Sequence, residues 1–308
     1  MFRTSGLFLI SASLLSIIFI SIGLISPSLT ESISIWVLLA SVFLIGIPHG
    51  AIDHIVASEL LNNQNNLRSH LIFYSSYLLI MAFLGIIWLI SPSAGMIIFL
   101  LISIYHFGQA DMEDFMKEGN SSIFWNILRG SFVIGLILFS DTSRTLPVIA
   151  DATGFSASSI QSLLPQTEII MSGLILLYLV SFGFSVYKNI IQRPSVFFAD
   201  AVLLTTLFFV TGPFIGFALY FAVWHSAGHI HEMIRFFEKR DREFGLQDFI
   251  IQSLPFTLIS LLGLAGLYYI QDLFGSGQQF ITLMFILISV LTLPHMVIVN
   301  RMYSSYDQ

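Results

Sequence analysis

The sequence predicts an all-α protein, a polytopic integral membrane helix bundle of about ten transmembrane helices. Three observations predict it. Of 308 residues, 56% are hydrophobic and only 10% are charged, against about 25% charged in soluble domains. Mean hydropathy is high, at +0.88. The apolar residues also fall in runs long enough to cross a bilayer, which takes ~17–25 residues per helix.

Taken in order, the expected spans are about 6–28, 33–56, 71–91, 94–111, 122–140, 167–189, 195–211, 213–236, 249–272 and 278–300. The first resembles a signal peptide in position, but its apolar run exceeds the ~7–15 residues of such a segment, so it reads as an anchor. The seventh is the shortest and carries Asp200. Connections are short except 141–166, a polar loop with room for a surface helix. No linker or internal repeat divides the chain, so a single transmembrane domain is expected over 1–308.

Charge placement supports this count. With both termini cytoplasmic, the inner positions hold Arg3, Arg68, Lys117, Arg129, Lys188, Arg193, Arg235, Lys239, Arg240, Arg242 and Arg301, and the outer loops hold only Arg144. Such asymmetry is the positive-inside pattern of a multi-pass protein of the cell membrane. Deleting the seventh span would put Lys188 and Arg193 on the opposite side from the 235–242 cluster. A net charge of −6 with no basic tract argues against nucleic acid. The chain has no cysteine, which excludes disulfides, thiolate metal sites, iron–sulfur clusters and CxxCH haem attachment.

Eight histidines remain to be explained. His70 falls in a loop and is expected to be solvated. His49, His54, His106, His225, His229, His231 and His295 all fall on even-numbered expected spans, in the half nearer the inner face. His225 and His229, in "WHSAGHIHE", are one helical turn apart and project from one face. Two imidazoles so placed can reach one metal ion. Glu232 shares that face, whereas His231 points elsewhere. His49 and His106 lie at similar depth on other spans. Ionisable groups inside a membrane are expensive and usually functional, and imidazoles gathered around a cation offset the cost. Imidazole donors without thiolate suit zinc, copper, iron or nickel, and spacing alone does not choose among them. Asp53 and Asp111, near His49 and His106, are candidates to accept a ligand's second N–H; for Asp111 an interfacial acid at a helix end is an equal alternative. His54 is rotated away from His49. His295 follows Pro294 and is either a ligand or a wall residue of the site.

The segments "GIPHGAID" (46–53), "HFGQAD" (106–111), "WHSAGH" (224–229) and "LPHM" (293–296), in that order on membrane helices, resemble the Brp/Blh family of membrane β-carotene 15,15′-dioxygenases, the bacteriorhodopsin-related proteins. The resemblance extends over about residues 40–303, leaving the first helix outside. It implies a single catalytic domain with a non-haem Fe2+ centre on four histidines, matching His49, His106, His225 and His229, and no catalytic residue beyond the metal centre. It further implies β-carotene and O2 as substrates, cleaved at the central double bond, and retinal as product, handed on to a rhodopsin. Tyr105 and Trp224, adjacent to His106 and His225, are candidates to stand near the metal. The 30 Phe residues suit a polyene tunnel, although Phe is ordinary in membrane helices.

Three other readings compete. A membrane di-iron desaturase or hydroxylase also uses HxxxH boxes but adds adjacent histidine pairs, and none occurs here. A bis-histidine haem protein would show a Soret band. A histidine-lined metal transporter would continue its polar residues to both membrane faces.

Overall fold

The computed structural model describes residues 6–60, 67–117, 122–240, 242–270 and 279–305. Among these the only strand-like feature is an isolated bridge between Met116 and Ile191; the rest of the regular structure is helical. The all-α expectation holds. The ends of the expected ninth and tenth spans, at 271–278, lie outside the described residues.

Among the described residues, eight helical runs are long and apolar enough to cross a membrane, or nine when Ile123–Phe139 and Thr142–Thr153, bent by 96°, count as one. The step from the ten expected to nine arises because residues 195–211 and 213–236 lie in one helical run, Pro194–Glu238. That run is not straight. Gly212 sits at φ 80°, ψ 174°, a backbone conformation that favours glycine, and Pro213 follows it. The Trp224 indole N–H donates to Asp200 Oδ1 at 2.5 Å. In a straight helix these two residues would stand ~36 Å apart. The run therefore folds back on itself at Gly212. Each half, at ~1.5 Å per residue, is ~27 Å long or more, enough to span by itself.

Many side chains on these helices are apolar and exposed, among them Leu79 at 69%, Leu89 at 79% and Trp36 at 71%. Water-soluble proteins rarely leave so much contiguous apolar surface uncovered; a lipid solvent requires it. The segment 141–166, expected as a polar loop with room for a surface helix, carries two helices, Thr142–Thr153 and Ala157–Leu163. Asp141 caps the first through Ser143 N–H at 3.1 Å, and Gly154, at φ 75°, ends it. His70 likewise lies not in a loop but in the first turn of Leu67–Ile90.

The chain forms two compact units, each assembled from separate chain segments. One comprises 1–45, 103–147 and 157–229; the other comprises 46–102, 148–156 and 230–308. In the first, the helix from Pro194 packs against Gly6–Ile25, Pro27–Ser41 and Ile123–Phe139, and the last of these also packs on Thr167–Tyr187. The N-terminal helix is seated closely: Gly23 lies against Val210, and Phe8 meets the Trp224 ring edge-on at 6.0 Å. Helices around Gly108 and Gly130 approach so closely that a Cβ on Gly108 would strike the Asn126 carbonyl, and one on Gly130 the Ile104 carbonyl. In the second unit, Phe280–Ser304 packs against Leu67–Ile90, Asp53–Leu60 and Leu246–Ile270. Its buried core gathers Ile52, Val56, Met233, Phe236, Phe237 and Met302.

Candidate metal centre

Three of the four expected ligands come together in the first unit. His106 lies on Pro92–Glu113, and His225 and His229 lie one turn apart where a π-helical turn, Tyr220–Ser226, passes into Ala227–Glu238. All three are buried, at 1%, 1% and 0% exposure. Ring centroids are 4.9 Å apart for His106 and His225, 5.3 Å for His106 and His229, and 4.7 Å for His225 and His229. Each offers a nitrogen lying within 4.8 Å of the other two. Three nitrogens bound to one ion at ~2.1 Å stand ~3.4–3.6 Å apart, so shifts of under about an ångström per nitrogen seat all three on one metal. A wider π-turn at a ligand is a common device at functional sites, because it re-aims a side chain without breaking the helix. Phe107 and Phe221 pack on His225, at 4.7 and 5.6 Å between centroids, and give it apolar surroundings. The donor set fits a borderline cation such as ferrous iron, with neutral nitrogens and no thiolate.

His49 belongs to the second unit. There its Nδ1 bonds the Gly46 carbonyl, at the end of a second π-turn, Val42–Gly46. A carbonyl only accepts, so this bond puts the proton on Nδ1 and the lone pair on Nε2. His49 meets His295 edge-on at 4.9 Å between ring centroids. Asp53, expected as a carboxylate behind a ligand imidazole, is buried at 3% exposure. Its Oδ1 lies 2.8 Å from His295 Nδ1, and its Oδ2 accepts from the Tyr77 hydroxyl at 2.9 Å. The spacing along the chain pointed at His49; the packing of Phe280–Ser304 against Asp53–Leu60 brings His295 nearer. His295 thus carries the carboxylate-backed imidazole that metal ligands commonly show.

Other candidates find different partners. Glu232, expected to share the face of His225 and His229, is half-buried and accepts from the Tyr303 hydroxyl at 2.5 Å. His54 is half-buried against Phe256, at 4.5 Å, and Tyr105 is half-buried. Asp111 accepts from Arg129 Nε at 2.9 Å and from the Tyr220 hydroxyl at 3.2 Å. Trp224 is committed to Asp200.

Arg129 departs furthest from expectation. Counted from sequence among the inner flanking charges, it is wholly buried inside Ile123–Phe139. Its Nη2 donates to Asp200 at 2.6 Å and its Nη1 to the Tyr178 hydroxyl at 3.0 Å. A lone buried charge would cost several kcal/mol, whereas one forked between two carboxylates is matched. Asp200, which made the seventh span look weak, is the second carboxylate. A sequence signal for the pair did exist: an arginine and an aspartate inside separate apolar runs call for each other. A cleft of about 510 Å³ at the Gly212 end of the first unit is lined by Asp141, Arg144 and Glu168 among others and contains no histidine.

Comparison with known proteins identifies the family. The profile of the beta-carotene 15,15'-dioxygenase family matches residues 40–303. A beta-carotene 15,15'-dioxygenase from an uncultured marine bacterium 66A03 is 25% identical over 282 residues, covering 88% of this chain and 95% of the relative. A probable beta-carotene 15,15'-dioxygenase, Blh, from Halobacterium salinarum is 24% identical over 287 residues, covering 86% and 83%. No solved structure matches the chain. With the profile spanning most of the sequence and the histidine motifs within it, the chain belongs to the beta-carotene 15,15'-dioxygenase family of enzymes.

Proposed function

We propose that this protein cleaves the central 15,15′ double bond of β-carotene with O2, releasing two molecules of retinal, at a non-haem iron. The observation that carries the reading is the buried group of His106, His225 and His229 in a chain of this family. These three would hold the metal; His49 is assigned as fourth ligand on its motif "GIPHGAID". Iron bound to neutral imidazoles supplies the redox chemistry by which O2 reacts with an alkene. Both oxygen atoms end in the two aldehydes, so no external reductant enters the balance.

The chain's own residues supply the surroundings. Phe107 and Phe221 pack around His225, keep water from its ring and present the apolar surface a polyene needs. Gly46 holds His49 in the Nδ1–H tautomer, and Asp53, itself held by Tyr77, orients His295. We assign both compact units to one catalytic domain, 1–308, because neither is a contiguous stretch of chain. A C40 hydrocarbon is confined to the bilayer, so lipid is the medium of delivery, and retinal would leave towards a rhodopsin.

The test is expression in cells that accumulate β-carotene. Loss of orange colour with retinal appearing, and iron copurifying with the protein, are expected. Retention of the carotene with the protein present in membranes would reject the reading. The charge asymmetry supports a plasma-membrane protein with both termini cytoplasmic and the 141–166 segment outside. Reporter fusions after Gln308 and near Thr153 should therefore report opposite sides, and a common side would reject that topology.

A further inference from the structure

We propose that the Arg129 network is a positioning device for His106 and His225, holding the π-turn that presents His225; this rests on the metal reading above. The network lies wholly within the first unit. Arg129 grips Asp111 and Asp200 at 2.9 and 2.6 Å and also donates to the Tyr178 hydroxyl. Each carboxylate then takes one hydrogen bond from the π-turn Tyr220–Ser226: Asp111 from the Tyr220 hydroxyl at 3.2 Å, Asp200 from the Trp224 indole at 2.5 Å. The turn is pinned at two points, one of them the residue directly before His225. Asp111 is in the same helix as His106, ~7.5 Å further along its axis. Phe107, next to His106, packs between the Tyr220 and His225 rings at 5.5 and 4.7 Å.

General packing does not require this arrangement. In an apolar interior a buried ion pair is commonly no more stabilising than well-packed hydrophobic side chains. What charged, directional bonds add is a fixed geometry. Here the fixed elements are the helix of His106, the π-turn of His225 and the two halves of the folded-back run. A π-turn is a poor helix on its own terms, so a turn that must hold a ligand at set depth and angle needs such pins. Asp111, Arg129 and Asp200 are thus positioning residues, acting through Tyr220 and Trp224.

The experiment uses the purified full chain in detergent, stripped of metal and titrated with Co2+, whose visible absorption reports ligand geometry. The variants are Trp224→Phe, Tyr220→Phe and Asp200→Asn, each removing hydrogen bonds, the last two while nearly preserving volume. Expected are unchanged helicity and elution, Co2+ dissociation constants raised about tenfold, and shifted absorption bands. Tyr220→Phe removes a single hydroxyl and carries the test should Asp200→Asn fail to fold. Folded variants with the parent's affinity and spectrum would overturn the proposal. If the parent itself binds no Co2+, the metal reading falls and this inference with it; binding by the parent with unaltered variants removes this inference alone.

Discussion

The two compact units hold their imidazoles in different ways. In the first, His106, His225 and His229 pack ring on ring, with Phe107 and Phe221 against His225, in helices pressed together at Gly108 and Gly130. In the second, His49 and His295 are each held through Nδ1, one by the Gly46 carbonyl and the other by Asp53. Packing fixes where a ring sits. A bond at Nδ1 fixes in addition which nitrogen keeps its lone pair. The first unit should therefore respond to added volume as well as to loss of its Arg129 network, and the imidazoles of the second to the hydrogen bonds at Nδ1.

The largest expected effect lies in the triad. His225→Ala or His229→Ala should abolish bound metal and retinal formation together, a loss of more than about 100-fold, because removing one ligand of four leaves a badly weakened site. Metal analysis beside a carotene-cleavage assay checks it. Full metal retention in either variant would remove these residues from the site.

Next in size is Asp53→Asn in the second unit. The amide keeps the volume but loses the charge that orients His295, and an activity loss of about 10–100-fold is expected. Tyr77→Phe, one step further out, should cost only about 1 kcal/mol of stability. If the two variants behaved alike, the hydrogen-bonded chain from Tyr77 through Asp53 to His295 would not be graded as the structure implies.

A sharper contrast comes from glycines. Gly108→Ala and Gly130→Ala should lower thermal stability by about 1–3 kcal/mol, since each added Cβ meets a backbone carbonyl of the facing helix. Gly85→Ala in the second unit meets nothing within 4 Å and should be neutral or stabilising by up to ~1 kcal/mol. Equal melting temperatures for Gly108→Ala and Gly85→Ala would break the comparison. The smallest effect is expected at Glu59, a buried carboxylate paired at 3.0 Å with Arg242, whose guanidinium is partly exposed and keeps a hydrogen bond to an amide. Glu59→Gln should change stability by under about 1 kcal/mol.

Much of this was legible in order along the chain. Apolar runs mark spans whatever their neighbours, because a helix in lipid must be apolar wherever it meets hydrocarbon. Prolines at Pro27, Pro92 and Pro194 mark helix starts, where the missing N–H costs nothing. The i, i+4 spacing of His225 and His229 put them on one face, and they meet as that spacing requires. His106 joins them.

Partner choice was not legible in the same way. Asp53, four residues after His49, bonds His295 from a helix far along the chain. Arg129, counted with the flanking charges, lies buried between two aspartates. The fold-back at Gly212, by contrast, falls where the sequence already separates the spans 195–211 and 213–236, and the Trp224–Asp200 bond joins its two halves. The physical reason is common to the other two. Composition and periodicity fix what a helix is made of and which residues share its face. Which neighbour that face meets depends on helix rotation, and at ~100° per residue a step of one position turns a side chain from one partner to another. The apolar spans and the paired histidines were therefore the sequence's own, while the carboxylate behind His295 and the network around Arg129 were decided by packing.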